Sequence, residues 1–200
     1  MIRIALAEDQ AVVRDALAAL LGLQDDLEIV ACARNGRDAL TMLEQHDADV
    51  LVTDVEMPDM DGLDLCAEAR EQHPDLRIVV LTTFARSGYL RRAMQAGADA
   101  YQLKDSPTPS LVAAIRTVAN GGKAIDPELA AEAWVEPDPL DERERDLLRR
   151  TGAGASTREI ASELDVHPGT IRNRLSGAVK KLGVANRFEA VNVARAKGWL

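Results

Sequence analysis

The first 120 residues alternate short apolar stretches with segments of helical periodicity, and this alternation restricts the possible folds more than any other feature. Because the apolar stretches are continuous, we expect parallel strands that helices cover on both faces. The right-handed crossover rule then favours a doubly wound α/β domain with a five-stranded parallel sheet. The predicted strands are Ile2–Ala7, Leu27–Ala33, Val50–Thr53, Leu76–Thr82 and Asp99–Leu103.

The net charge of −9 at pH 7 is distributed unevenly along the chain. Residues 1–120 carry a net charge of −9, whereas residues 140–200 carry +4. An acidic front and a basic tail indicate two domains with different partners. We therefore predict one domain over 1–120, an acidic, proline-containing linker over 121–138, and a second domain over 139–200.

The second domain has helical periodicity throughout, and four helices are predicted in it. Asp141, Ser156 and Asn186 are suitable N-cap residues for three of them. The short turn at 165–167 joins the middle two helices, which is typical of a helix-turn-helix domain. A further short helix is predicted within the linker, from Pro127 to about Trp134.

No apolar run is long enough to cross a bilayer, and the N-terminus reaches Glu8 and Asp9 too early for a signal peptide. We therefore expect a cytoplasmic protein without membrane insertion. The two cysteines, Cys32 and Cys66, fall in a predicted strand and a predicted helix. For a cytosolic protein we expect both to be buried, reduced thiols.

Charged and hydroxyl side chains follow the predicted strands at their carboxyl ends, where open α/β sheets bind ligands. These side chains are Glu8 and Asp9, Asp54, Thr82, and Lys104. The three carboxylates repel each other, and a hard divalent cation such as Mg²⁺ (or Mn²⁺) would offset the repulsion. Lys104 and Thr82 can then hold the oxygens of a phosphoryl group placed on Asp54.

The ordered set of acid pair, Asp, Thr and Lys, with the stretches "TDVEMPDMDG", "LTTFA" and "AYQLKDSP", resembles the receiver domain of bacterial two-component response regulators. The resemblance covers residues 1–120 and implies a flavodoxin/CheY-like fold. The resemblance implies that Asp54 is the phosphoacceptor, that Glu8 and Asp9 are the acids that bind the metal, and that Glu56 is a metal ligand through its backbone carbonyl. It also implies that Thr82 and Tyr101 form the switch pair and that Lys104 contacts the phosphoryl oxygen.

The second domain resembles the tetrahelical LuxR/FixJ-type helix-turn-helix domain in the stretches "LDERERDLL", "GASTREIASELDVHPGTIRNRL" and "KKLGVANRFEAVNVARAKGWL". The helix after His167 has an apolar stripe on one side and polar residues on the others. Its N-terminal part would enter the major groove of DNA. The side chains that would read bases are Arg172, Asn173 and Arg174, and those that would grip phosphates are Thr170, Lys180 and Lys181.

Gly177 lies in the same helix and weakens it by about 1 kcal/mol relative to alanine. A close approach of the DNA backbone would explain a glycine at this position. We treat this close approach as a hypothesis about the interface.

Together the two resemblances identify a response regulator of the NarL/FixJ type. Such a protein is phosphorylated by a sensor histidine kinase, forms a homodimer and binds double-stranded promoter DNA to regulate transcription. The stretch "LTTFARSGYLRRAMQAGADAYQLKDSP" is similar to regulators paired with membrane thermosensor kinases that control fatty-acid desaturation. Two dimer faces remain open: the fourth helix, fifth strand and fifth helix, or the first and fifth helices.

Two other functions compete with this interpretation. A phosphohydrolase would use the same aspartyl-phosphate intermediate, but phosphatases of the haloacid-dehalogenase type carry an aspartate where this chain has Glu56, and they add a cap domain. A regulator that senses a small ligand would have no reason to keep the acid pair, Thr82 and Lys104. We therefore expect no enzymatic activity beyond phosphoryl transfer to Asp54 and its later hydrolysis.

Overall fold

The computed structural model describes residues 1–83, 87–125 and 138–200. The chain divides into two compact units, the first made mostly of residues up to 125 and the second mostly of residues from 138 onward. The helix predicted from Pro127 and most of the predicted linker lie outside the described residues. The three predicted domain boundaries therefore remain predictions.

The first unit alternates strands and helices, as predicted. Its elements are β1 (Ile2–Ala7), α1 (Ala11–Gly22), β2 (Leu27–Ala33), α2 (Gly36–Gln45), β3 (Val50–Asp54), α3 (Gly62–Gln72), β4 (Arg77–Thr82), α4 (Ser87–Gln95), β5 (Ala100–Leu103), α5 (Thr108–Ala119) and β6 (Ala124–Ile125).

All the strand pairs are parallel, and the strand order is β2-β1-β3-β4-β5-β6. The doubly wound architecture is confirmed, and the sheet has one short strand more than the five predicted. β6 pairs with Ala100 and Tyr101 of β5, inside the range predicted as linker. β6 is only two residues long, which is too short to show a hydrophobic period in the sequence. It is recognised as a strand only because it pairs with the edge of β5.

The central strand β3 is buried along its whole length, which explains its continuous apolar sequence. One face of the sheet packs on α1 and α5 through residues such as Ile4, Val52 and Ile115. Successive strand residues point to opposite faces, so Leu51 and Val80 face the other side. The burial of both faces holds the carboxyl ends of the strands rigidly beside one another.

The second unit contains four helices: α6 (Glu142–Gly152), α7 (Thr157–Glu163), α8 (Pro168–Leu182) and α9 (Arg187–Ala196). All three predicted N-caps are confirmed: Asp141 and Ser156 each form a capping box with the residue three positions on, and Asn186 accepts two backbone N–H groups. The helices enclose one apolar core, which includes Leu148, Ile160, Ile171, Leu175, Ala190 and Trp199.

The two cysteines differ in burial. Cys66 is buried, as predicted, but Cys32 is exposed, and that part of the prediction is wrong. Cys32 lies on β2, which is an edge strand, and only tertiary structure decides which strands are central. Among the described residues, no helix combines the length and apolarity needed to span a membrane.

Candidate functional site

The loop that follows β3 is folded tightly around Asp54. The Val55 N–H donates to Oδ1 of Asp54 at 2.7 Å, and the Gly62 N–H donates to the Val55 carbonyl at 2.9 Å. A Cβ atom on Gly62 would lie 1.7 Å from the Asp54 carbonyl oxygen. The backbone at Gly62 therefore has room only for glycine, and the loop packs directly on the backbone of Asp54, whose side chain is buried.

Three carboxylates meet where the winding of the sheet reverses. β1 lies between β2 and β3, so Glu8 and Asp9 come after β1 beside Asp54 at the end of β3. One oxygen from each residue lies within 4.8 Å of the others. This position is the topological switch point at which doubly wound sheets bind ligands.

The oxygens of this cluster fit a hard divalent cation. Glu8 is fully buried, and Oδ1 of Asp9 is a buried acceptor without a hydrogen-bond partner among the described residues. A buried carboxylate oxygen without a partner is costly, and coordination to a cation would satisfy it. Mg²⁺ and Mn²⁺ prefer all-oxygen ligands of this kind. Glu8, Asp9 and Asp54 are the residues that would hold the ion.

Lys104 contacts two of the three carboxylates. Its Nζ lies 2.7 Å from Oε2 of Glu8 and 2.8 Å from Oδ2 of Asp54. Burial raises the pKa of Glu8, as does the charge of Asp54, although Lys104 opposes both. Burial by itself would lower the pKa of Lys104, but the two carboxylates raise it overall, so the ammonium stays charged.

Thr82 and Tyr101, the predicted switch pair, are both buried on neighbouring strands. The Lys104 N–H donates to the Thr82 carbonyl at 2.7 Å, which places Lys104 beside the end of β4. The structure thus brings Thr82 and Lys104 to the same edge as Asp54. The Glu56 side chain is exposed two residues after Asp54. The assigned roles of these residues remain predictions.

Arg14 is a contributor to this site that the sequence reasoning missed. Its Nη1 donates to the carbonyl oxygen of Glu8 at 2.8 Å and lies 3.4 Å from that of Asp9. The guanidinium therefore ties the backbone of the acid pair to α1. In the sequence, the feature that could have indicated this contribution is a basic residue in the helix that directly follows the two acids.

In the second unit, α8 presents the surface expected of a DNA-reading helix. Ile171, Leu175 and Ala178 are buried, as the apolar stripe predicts. Arg172 and Asn173 are exposed on other sides of the same helix. These two side chains are free to reach base edges in a major groove. Also exposed are Thr170, Lys180 and Lys181.

Two of the predicted DNA contacts lie on the flank of α8 that faces α6. Arg174 is half-buried and lines a cavity of about 450 Å³ together with Leu147 of α6. Lys181 Nζ lies 2.7 Å from Oε2 of Glu144, which is buried in the first turn of α6. The structure therefore separates Arg174 and Lys181 from the outward-facing Arg172 and Asn173.

A Cβ atom on Gly177 would lie in ordinary contact distance, 3.7 Å from Oε1 of Glu144. Packing within the domain therefore leaves room for a methyl group at this position. The interpretation that DNA approaches closely at Gly177 stays a prediction.

Both units match known families. Residues 4–116 match the response regulator receiver domain, and residues 138–194 match the bacterial regulatory proteins of the luxR family. A receiver domain followed by a DNA-binding helix-turn-helix domain defines the class of response regulators that control transcription. This chain belongs to that family, as a regulator of the NarL/FixJ type.

Similarity to individual proteins extends over the whole chain. The chain is 43% identical to the transcriptional regulatory protein DesR of Bacillus subtilis, covering 100% of this chain and 99% of DesR. It is similar to the crystal structure of the response regulator ChrA of a heme-sensing two-component system, with a TM-score of 0.58 and 32% identity. This match covers 100% of this chain and 98% of the ChrA chain. A structure of two RcsB dimers bound to two parallel DNAs matches with a TM-score of 0.66, 25% identity and 96% coverage of each chain.

Proposed function

We propose that a sensor histidine kinase phosphorylates this response regulator on Asp54, and that the phosphorylated chain forms a homodimer that binds promoter DNA. The contact of Lys104 with both Asp54 and Glu8 carries this proposal. A carboxylate buried next to a fixed ammonium and two further acids is suited to accept a phosphoryl group. Because the acid cluster fits Mg²⁺ or Mn²⁺, we include that ion as cofactor.

The transfer follows from the positions of these side chains. A carboxylate oxygen of Asp54 attacks the phosphorus of the phosphohistidine, the P–O bond forms, and the P–N bond to the histidine breaks. Lys104 stabilises the negative charge that spreads over the phosphoryl oxygens. A bound divalent cation would supply further neutralisation of that charge. Water later hydrolyses the acyl phosphate and regenerates Asp54.

The exposed apolar side chains of α1 favour one of the two possible dimer faces. Val12 is 83% exposed and Leu20 41%, and Leu23, the C-cap residue directly after α1, is 75% exposed. Their spacing places them on one side of α1. An exposed stripe of large apolar side chains is typical of an interaction surface. We therefore assign the homodimer contact to the face of α1 and α5.

The second unit supplies the DNA contacts in this proposal. Residues 140–200 carry a net charge of +4, and Arg172 and Asn173 are exposed on α8. A homodimer would place two such helices on the two half-sites of a palindromic operator. The 43% identity to the transcriptional regulatory protein DesR supports a role of this DNA binding in the regulation of transcription. A membrane thermosensor kinase as partner stays a prediction.

The phosphoacceptor is tested on a phosphate-affinity gel. Wild type, Asp54→Ala and the control Asp59→Asn are incubated with acetyl phosphate, with and without Mg²⁺. Asp59 is an exposed acid in the same loop with a positive φ of 66°, which asparagine tolerates. We expect a retarded band for wild type and Asp59→Asn, only with Mg²⁺. A band that persists in Asp54→Ala would contradict the assignment, and multiple turnover on a phosphate ester would favour the phosphohydrolase.

The dimer face is tested by light scattering after gel filtration. With Mg²⁺ and beryllofluoride, which mimics the phosphoryl group, we expect wild type to dimerise and Leu23→Lys to remain monomeric. Leu164→Lys is the control, because Leu164 is an exposed leucine in the second unit. A dimer of Leu23→Lys with unchanged affinity would exclude the α1 face.

A further inference from the structure

Glu144 is a buried carboxylate in the second unit, only 6% exposed. Its Oε2 accepts the Asp141 N–H at 2.9 Å, and Oδ1 of Asp141 accepts the Glu144 N–H at 2.8 Å. This capping box satisfies backbone groups at the start of α6. The capping box supplies no positive charge, and a buried carboxylate needs a cationic partner.

Lys181 is that partner. It lies in the last turn of α8, and its Nζ is 2.7 Å from the same Oε2. The carboxylate therefore joins the first turn of α6 to the last turn of α8. Gly177, one turn earlier on α8, also faces this carboxylate. The ion pair between Glu144 and Lys181 therefore connects α6 to α8.

The neighbouring lysine has a different environment. Both lysines are exposed, but among the described residues Lys180, unlike Lys181, has no ion-pair partner. A phosphate contact by Lys181 would remove its charge from Glu144 and leave a buried carboxylate unpaired. Lys180 can bind a phosphate at no such cost. The two adjacent lysines are therefore not equivalent, although their sequence suggests that they are.

We infer that Lys181 is a positioning residue, which holds the DNA-reading helix α8 on α6 through Glu144, and that Lys180 of this pair is the phosphate contact. This inference rests on the proposed DNA binding. Each protein–phosphate contact releases counterions, so the dependence of DNA affinity on salt reports the number of such contacts. Loss of a positioning residue lowers affinity without changing that dependence.

The experiment measures binding of the full chain, activated with Mg²⁺ and beryllofluoride, to a fluorescein-labelled duplex of arbitrary sequence by anisotropy, over a titration of KCl. Lys181→Met and the matched control Lys180→Met each remove one ammonium and keep the length of the stem. For Lys180→Met, we expect the slope of log K against log [KCl] to become less steep by about 0.9 for each bound protomer. For Lys181→Met, we expect an unchanged slope and an affinity that is about threefold or more lower at every salt concentration.

Two results would overturn the inference: a slope reduced in Lys181→Met as in Lys180→Met, or an affinity that Lys181→Met does not change. If Lys181→Met does not fold, the double variant Glu144→Gln/Lys181→Met replaces it. That variant has no buried unpaired charge, and the same expectations apply to it. Absence of salt-dependent binding by wild type would instead contradict the proposed function, so the two failures are distinguishable.

Discussion

Nζ of Lys104 lies 2.8 Å from Oδ2 of Asp54, although Asp54 ends β3, Lys104 follows β5, and β4 lies between these two strands. The side chain of Lys104 therefore reaches across the end of β4, where Thr82 lies. This contact pairs two buried carboxylates, Asp54 and Glu8, with one ammonium group. The same ammonium is placed to contact the oxygens of a phosphoryl group transferred to Asp54, so the contact bears directly on reactivity.

Lys104→Met is expected to slow phosphorylation by acetyl phosphate about 100-fold, since one charged group that stabilises the transition state is lost. The rate is measured as the growth of the retarded band on a phosphate-affinity gel at saturating Mg²⁺. Lys123→Met serves as a control outside the site. An unchanged rate in Lys104→Met would show that the transition state does not use this ammonium.

Gly62→Ala is expected to destabilise the first unit by about 1–3 kcal/mol, because the new methyl group would overlap the Asp54 carbonyl. The free energy of unfolding is measured by urea denaturation followed by circular dichroism. The control is Gly22→Ala in α1, where a Cβ atom meets nothing within 4 Å. That change should be neutral or stabilising, and equal effects of the two substitutions would refute the steric argument.

Arg14→Ala is expected to raise the Mg²⁺ concentration for half-maximal phosphorylation about tenfold, since residues that orient ligands affect metal affinity to this extent. The guanidinium holds the carbonyl oxygens of Glu8 and Asp9, and its loss frees their backbone. The measurement is a Mg²⁺ titration of the phosphorylation rate. Arg34→Ala is the control, because Arg34 pairs with Asp38 on the surface, and its titration should match that of wild type.

Asp141→Ala is expected to cost about 1 kcal/mol of stability at neutral pH, since it removes the N-cap of α6. The hydrogen bond from the Glu144 backbone lowers the pKa of Asp141 below its ordinary value of 3.8. The contribution of the cap is therefore complete above pH 3.8 and is lost as the pH falls through the lower pKa of the folded state. The free energy of unfolding, measured by denaturation at a series of pH values, reports this contribution. Asp141→Asn, which caps without ionising, should lose this pH dependence, and a cost that persists unchanged at low pH would contradict the argument.

The two cysteines are expected to differ in reactivity. Burial raises the pKa of both thiols, that of Cys66 to about 12, but the Cys32 side chain is exposed to a reagent whereas Cys66 is buried. Ellman's reagent should therefore label one thiol in the native chain and two after unfolding. Cys32→Ser should abolish the native reaction. Rapid labelling of two native thiols would contradict the burial of Cys66.

The sequence alone determined the order of the longer elements and which side chains meet at the carboxyl edge of the sheet. Continuous apolar strands imply a parallel sheet, and parallel strands bring their carboxyl ends to one edge. The side chains at the carboxyl ends of β1, β3 and β5 were therefore predictable as one cluster. N-caps such as Asp141 were equally predictable, because a cap involves residues only three positions apart.

Only the tertiary structure decided which strands pair and which side chains contact each other. It placed Cys32 on an edge strand, paired β6 with β5, and gave Arg14 the carbonyl oxygens of the acid pair. It also assigned Lys181, but not the adjacent Lys180, to the buried Glu144. These outcomes depend on distances between segments that are far apart in the chain. Periodicity and local spacing carry no information about such distances, since the packing of the whole domain sets them.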